Sequence, residues 1–245
     1  MALARDLTIA PMAIDGRAEG LWWSDLPAKP GRTTQVVVHW TGGERRSARN
    51  VYQVLRNRGL SVHFVIDADG RITQMAPLDA RAAHAGVANA RSVGIEVVNP
   101  GPVSSGITPD PRREVVEARI HGRRVRYYDF TPEQYAALFE LVPWLLDYFN
   151  IPKQVSSATT AMPEQDLVRF EGVLGHYQIT RNKTDPGPRI LDALREHLTG
   201  VGTTDTISTT STAPRRWWVV ALVLLVGGAG LYWYFRRGTR KRLTA

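Results

Sequence analysis

The sequence predicts an α/β domain, a central mixed β-sheet flanked by helices, followed by one C-terminal transmembrane helix. Three observations predict it. Short apolar runs of strand composition, QVVVHW (35–40), SVHFVID (61–67), RITQM (71–75) and VGIEVVN (93–99), are interleaved with stretches of helical composition, the pattern of a sheet covered by helices. Residues 217–235, WWVVALVLLVGGAGLYWYF, carry no charge and are bounded by arginine pairs on both sides. Between domain and apolar segment, residues 200–216 are mostly small and polar, the composition of a flexible stalk.

Taken in order, residues 1–33 form a lead-in segment whose start, MALARDLTIAPMAIDG, has no sustained apolar core after a basic beginning and so does not read as a secretory signal peptide. The domain covers 34–199. A helix is expected over 47–58, with Gly59 as its stop. Asp67 to Gly70 supply the turn joining the second and third strands. Thr131 and Gln134 make a capping box with Pro132 at the first helical position, opening a helix that runs toward Phe149. A last helix is expected over about 188–198. No repeat of solenoid period is visible.

Charge divides the chain. Of 31 basic residues, seven lie at or after Arg215, whereas all 23 acidic residues precede it, leaving 24 basic against 23 acidic residues in 1–214. The domain itself is nearly neutral, so no nucleic-acid partner is expected. At 1.5 Å per residue the apolar segment spans roughly 28 Å, close to the ~30 Å of a bilayer core. Its terminal Trp217, Trp218, Trp233 and Tyr234 suit the two interfaces. Five positive charges follow it in the basic tail 236–245 and two precede it. The positive-inside rule then predicts a single-pass protein anchored in the lipid bilayer, with a cytoplasmic C-terminus and the domain on the cell-wall side. The chain has no cysteine, which excludes disulfides and thiolate metal sites and restricts any zinc to histidine and carboxylate ligands.

Chemistry concentrates in two places. His39 closes the run VVVHW before Thr41, Gly42 and Gly43, so a strand leaves the core and presents an imidazole where the backbone turns. On its own such a histidine is more often structural. The second place is GHYQITRNKTDPGP (175–188), where His176 and Asp185 bracket a loop containing Lys183. Together with VVVHWTGG, AAHAG (82–86) and GIEVVN (94–99), this segment resembles, in order, the zinc N-acetylmuramoyl-L-alanine amidases, a family that includes phage amidase lysozymes, anhydromuropeptide amidases and peptidoglycan-recognition proteins.

That resemblance implies one zinc ion held by His39, His176 and Asp185, an open fourth position for water, Glu96 as the proton-transferring base and Lys183 as the oxyanion stabiliser. It also implies a peptidoglycan or muropeptide substrate, cut between N-acetylmuramic acid and L-alanine. His84 is expected at the substrate, and Trp40, Thr41 and Asn99 on the groove wall; spacing alone leaves a triad containing His84 open. His63 reads as a core histidine. Glu96, mid-strand in V-G-I-E-V-V, is where a buried carboxylate is costly without a partner or a task.

Two stretches exceed what a compact member needs. Residues 100–130 carry Arg112, Arg113, Arg119, Arg123, Arg124 and Arg126, with hairpin character around His121 and Gly122; they read either as a lid or grip on anionic wall polymer or as a solvated hairpin. Residues 153–172 have turn-like composition and no assignable chemistry. Rival functional readings are a membrane-tethered peptidoglycan receptor without turnover and a cytoplasm-facing enzyme that trims recycled muropeptides. A phage lysis protein or secreted effector remains open within the enzyme class.

Overall fold

The computed structural model describes residues 8–43, 47–103 and 110–200. In chain order its strands and α-helices are β1 (Ile14–Asp15), β2 (Gln35–Trp40), α1 (Ala48–Asn57), β3 (Phe64–Ile66), β4 (Ile72–Gln74), β5 (Ser92–Val97), β6 (Val115–Ile120), β7 (Arg123–Tyr128), α2 (Pro132–Tyr148), α3 (Glu164–Arg169), β8 (Gly172–Gly175) and α4 (Pro188–Thr199). Six strands form one sheet in the order β1-β4-β3-β5-β2-β8. It is mixed, as expected: β3 and β4 are antiparallel, while β1–β4, β3–β5, β5–β2 and β2–β8 are parallel. The apolar segment 217–235, the stalk and the basic tail lie outside the described residues. Among those described, no helix is long and apolar enough to cross a membrane.

β2 lies between β5 and the edge strand β8, and every one of its residues is buried, which is why it reads as a continuous apolar run and not as an alternation. Period-two geometry still separates its faces. Val36, Val38 and Trp40 join Val93, Ile95, Val97 and Val173 under α2 and α4, packed with Leu138, Leu141, Leu145, Ile190 and Leu194. The opposite face is covered by α1, whose Val51, Tyr52 and Leu55 pack with Leu21, Trp23, Val65 and Met75. The lead-in therefore contributes core residues and one edge strand, β1.

Local signals explain the helix boundaries. The Ser47 hydroxyl caps α1 by accepting from the Asn50 amide, and Gly59 follows its end at φ +65. At α2 the capping box forms between Thr131 and Gln134, with Pro132 at the first helical position. Sequence patterning missed β1, β8 and α3. β8 is the short run GVLG, where two glycines mask strand composition. Gly175 is nonetheless required there: a Cβ would lie 2.7 Å from Pro186 Cδ and 3.0 Å from Leu191 Cδ1.

Leu141 is fully buried where α2 meets the sheet. Leu141→Ala is expected to cost about 2–5 kcal/mol, measured as a lower urea midpoint with unchanged slope; the exposed Tyr148→Ala should stay within about 1 kcal/mol of wild type.

Candidate active site

Parallel pairing places the functional side chains at one edge. His39 lies opposite Glu96 across the β2–β5 ladder, and Val38 lies opposite Gly175 across β2–β8, so His176 is the next residue beyond that pair. All three belong to the face covered by α1, at the carboxyl ends of parallel strands, where open α/β sheets place their ligands. Asp185 arrives from the loop after His176, tied by the Tyr177 amide donating to the Asp185 carbonyl at 2.9 Å. The result is a cleft of about 240 Å³ bordered by His39, His84, Glu96, His176, Lys183 and Asp185 and walled by Leu55, Arg58 and Leu60.

At its floor, His39 Nδ1, His176 Nδ1 and Asp185 Oδ2 lie 3.0, 3.1 and 3.1 Å apart. All three residues are buried. Behind them runs a chain of hydrogen bonds that settles proton positions. The Ser92 hydroxyl donates to the Ala88 carbonyl at 2.8 Å, so its oxygen must accept from His84 Nε2 at 3.1 Å. His84 Nδ1 is then bare and accepts from His39 Nε2–H at 3.0 Å. His39 Nδ1 consequently faces Asp185 and His176 as a lone pair.

The His39 lone pair and the Asp185 carboxylate are two acceptors 3.1 Å apart with His176 Nδ1 within 3.1 Å of both, and a cation that takes the place of a proton on His176 Nδ1 can satisfy all three atoms. Their spacing is close to the edge of a tetrahedron with ligand bonds of ~2.0–2.1 Å, roughly 3.3–3.4 Å. The electrostatics agree. Burial pushes the His39 imidazole down to about 4, against the raising effect of Asp185, so it is neutral and ligand-competent at neutral pH. Burial alone would raise the Asp185 carboxyl, but hydrogen bonding from the His176 imidazole is the largest opposing influence, and the group is held below the usual carboxylate range. The donor set fits zinc, with nitrogen and oxygen ligands and no sulfur.

The remaining expected residues separate. Lys183 is exposed at the cleft mouth, and Thr41 and Trp40 border it, although the Trp40 ring packs on Tyr127 at 5.2 Å. Both ring nitrogens of His84 are engaged within the protein, so only its ring surface is available to a substrate. Asn99 does not form groove wall. It is fully buried, donating to the Tyr128 and Asp129 carbonyls and accepting from the Gly101 amide, because a chain leaving the sheet there must satisfy its own backbone groups. His63 is a satisfied core histidine, donating to the Ala80 carbonyl and accepting from the Gly94 amide. Sequence reasoning missed Ser92, which carries no motif signal, and Gly94, whose place is forced by close approach: a Cβ there would lie 2.6 Å from His84 Nδ1.

The profile of the N-acetylmuramoyl-L-alanine amidase family matches residues 29–188, a span that contains every residue of this site. The chain belongs to that family. Among solved structures, the Staphylococcus aureus hydrolase AmiA, in complex with its ligand, aligns with this amidase at a TM-score of 0.52 and 17% identity, covering 78% of this chain and 85% of that one. The endolysin amidase LysCS of Clostridium intestinale aligns at 0.45 with 21% identity, over 68% and 82% of the two chains. Drosophila peptidoglycan recognition protein SA aligns at 0.46 with 16% identity, over 76% and 92%. No curated protein matches the amidase significantly. The likeness to AmiA shows the shared fold, a mixed sheet with helices on its faces.

The relay behind His39 predicts a metal phenotype away from the ligands. Ser92→Ala removes the acceptor that orients His84 and is expected to weaken zinc affinity about 10–100-fold, measured by competition with a chelating dye; unchanged affinity would mean that the relay does not set the His39 tautomer.

Proposed function

We propose that the amidase hydrolyses the amide between the lactyl group of N-acetylmuramic acid and the L-alanine of the stem peptide, using one zinc ion held by His39, His176 and Asp185. The observation that carries this reading is the convergence of three buried ligand atoms at 3.0–3.1 Å, with the His39 lone pair aimed at them by the His84–Ser92 relay. When bound, zinc supplies Lewis acidity that brings the pKa of a water toward ~7.

The chain's own residues supply the rest. Glu96 shares the sheet face of His39 in the adjacent strand and borders the same cleft, within the region where a nucleophilic water must be stripped of its proton. The same carboxyl then returns that proton to the departing alanine nitrogen, so the peptide leaves as a neutral amine. Lys183, which borders the same cleft, brings an ammonium toward the oxygen that gains negative charge as the carbonyl becomes tetrahedral. Thr41 and the apolar wall of Leu55 and Leu60 confine the substrate between these groups.

The reading includes location. Residues 217–235 would anchor the enzyme in the bilayer, with the amidase domain on the cell-wall side and the C-terminus in the cytoplasm; support comes from the uncharged nineteen-residue run and its unequal flanking charge. Protease added outside spheroplasts should remove the domain. A protected domain would instead favour trimming of soluble muropeptides on the cytoplasmic side.

Digestion of cell wall by the full chain in detergent should create new muramic lactyl and alanine ends, and dialysis against a chelator should abolish this until zinc is restored. Glu96→Gln is expected to lower kcat about 10²–10⁴-fold with zinc retained, and Lys183→Gln about a hundredfold, or ~3 kcal/mol. Asp185→Ala should lose both zinc and activity. If the wild type makes no new ends, a binding role replaces the enzyme reading; if Asp185→Ala still holds stoichiometric zinc, the ligand set is wrong and His84 becomes the next candidate.

A further inference from the structure

The hairpin of β6 and β7 is the part of the chain whose purpose sequence patterning leaves open; at its tip Gly122 is exposed, but His121 is half-buried. The two turn residues, His121 and Gly122, have φ +52 and +77. Positive φ at both central positions is a type I′ turn, for which Asn-Gly is the usual pair. Histidine in the left-handed region is uncommon and carries a conformational cost. A specific set of contacts offsets it.

The His121 amide donates to the Thr159 carbonyl at 3.0 Å. Its Nε2 lies 2.8 Å from the Lys183 carbonyl oxygen, which can only accept, so Nε2 carries the proton. Nδ1 is then bare and accepts from the Thr160 hydroxyl at 3.0 Å. The ring also meets Tyr177 edge-on, with centroids 6.3 Å apart. Tyr177 immediately follows the ligand His176. One imidazole thus joins the hairpin, the 159–160 loop and the loop between His176 and Asp185.

That loop needs a brace. Residues 181–183 are exposed, and the amides of Asn182 and Lys183 make only long bonds, 3.5 Å to the Thr180 hydroxyl and 3.4 Å to the Thr180 carbonyl. Asp185 has its own tie through Tyr177, but Lys183 does not share it. A lysine stem has four rotatable carbons, so its ammonium is delivered to one place only if the backbone beneath it is held.

We propose that the β6–β7 hairpin is a strut for the catalytic loop, with His121 a positioning residue that fixes Lys183 by its backbone carbonyl. This rests on the reading of Lys183 as oxyanion donor given above. The strut acts on the reaction without touching substrate, and it assigns the hairpin a task that differs from gripping a polymer.

His121→Asn keeps a residue suited to positive φ, and hence the turn, but shortens the side chain. In the full chain it is expected to lower kcat on the order of tenfold, with KM within about twofold, stoichiometric zinc and an unchanged thermal midpoint. His121→Gln, whose amide nitrogen reaches the place of Nε2, should restore most of the loss. In a Lys183→Gln background His121→Asn should cost nothing further. Wild-type kcat in His121→Asn alongside a hundredfold loss in Lys183→Gln overturns the strut and leaves the proposed function standing; an equal loss with and without Lys183 overturns it as well. Wild-type kcat in Lys183→Gln removes the oxyanion role and the strut proposal with it. Should His121→Asn fail to fold, Thr160→Val, which leaves the turn residue and removes the hydroxyl holding its ring, enters the same cycle.

Discussion

Everything near the cleft follows from one constraint: three potential ligand atoms, on His39, His176 and Asp185, brought within 3.1 Å of each other in a buried place. Without a cation this arrangement sets the His39 lone pair against the Asp185 carboxylate, and the low dielectric of the interior sharpens the conflict. The fold therefore has to hold the three rigidly enough that they cannot turn away. Two of them stand at or just beyond the ends of neighbouring parallel strands: His39 in β2, which has ladders to β5 and β8, and His176 directly after β8, which is paired to β2. The third is on a loop that comes close because Gly175 leaves room for Pro186.

The relay through His84 and Ser92 is the second layer of that constraint. A histidine that could flip tautomers would offer a proton to the metal position half of the time, so the back of the ring must be committed. His84 does this only because Gly94, in the strand beside it, has no Cβ to occupy the ring's place. A residue that resembles a substrate contact by motif is thereby drawn into the support of the site.

The basic stretch 100–130 shows how tertiary context redistributes charge. Arg113 is buried and donates to the Val98 and Asp129 carbonyls and to Gln134, closing off the end of β5. Arg112 is paired with Asp110 and Glu133, and Arg124 with Glu117. What reads along the chain as a cationic patch is, for these residues, local neutralisation and backbone satisfaction. Counting arginines could not have revealed this, since apart from the Arg112–Asp110 pair their partners are distant in sequence or lie on the facing strand.

By itself the sequence determined the class of fold, the apolar strand with His39, the Gly59 stop of α1, the capping box of α2, and the candidate zinc ligands. These are set by local patterning and by short motifs whose residues are chemically unusual where they stand. Its separation of helical from strand segments rests on signals contained within about ten residues. Only the tertiary structure decided which side chains face the cleft. Asn99 turned inward to satisfy a departing backbone, Ser92 became part of the hydrogen-bond relay behind His39 without any motif, and β8 formed from a glycine-rich run because β2 offered it a parallel edge. Those outcomes depend on register between strands far apart in the chain, where a shift of one residue would turn His39 to the other face of the sheet. Pairing of that kind is a property of the folded sheet, and no window of sequence contains it.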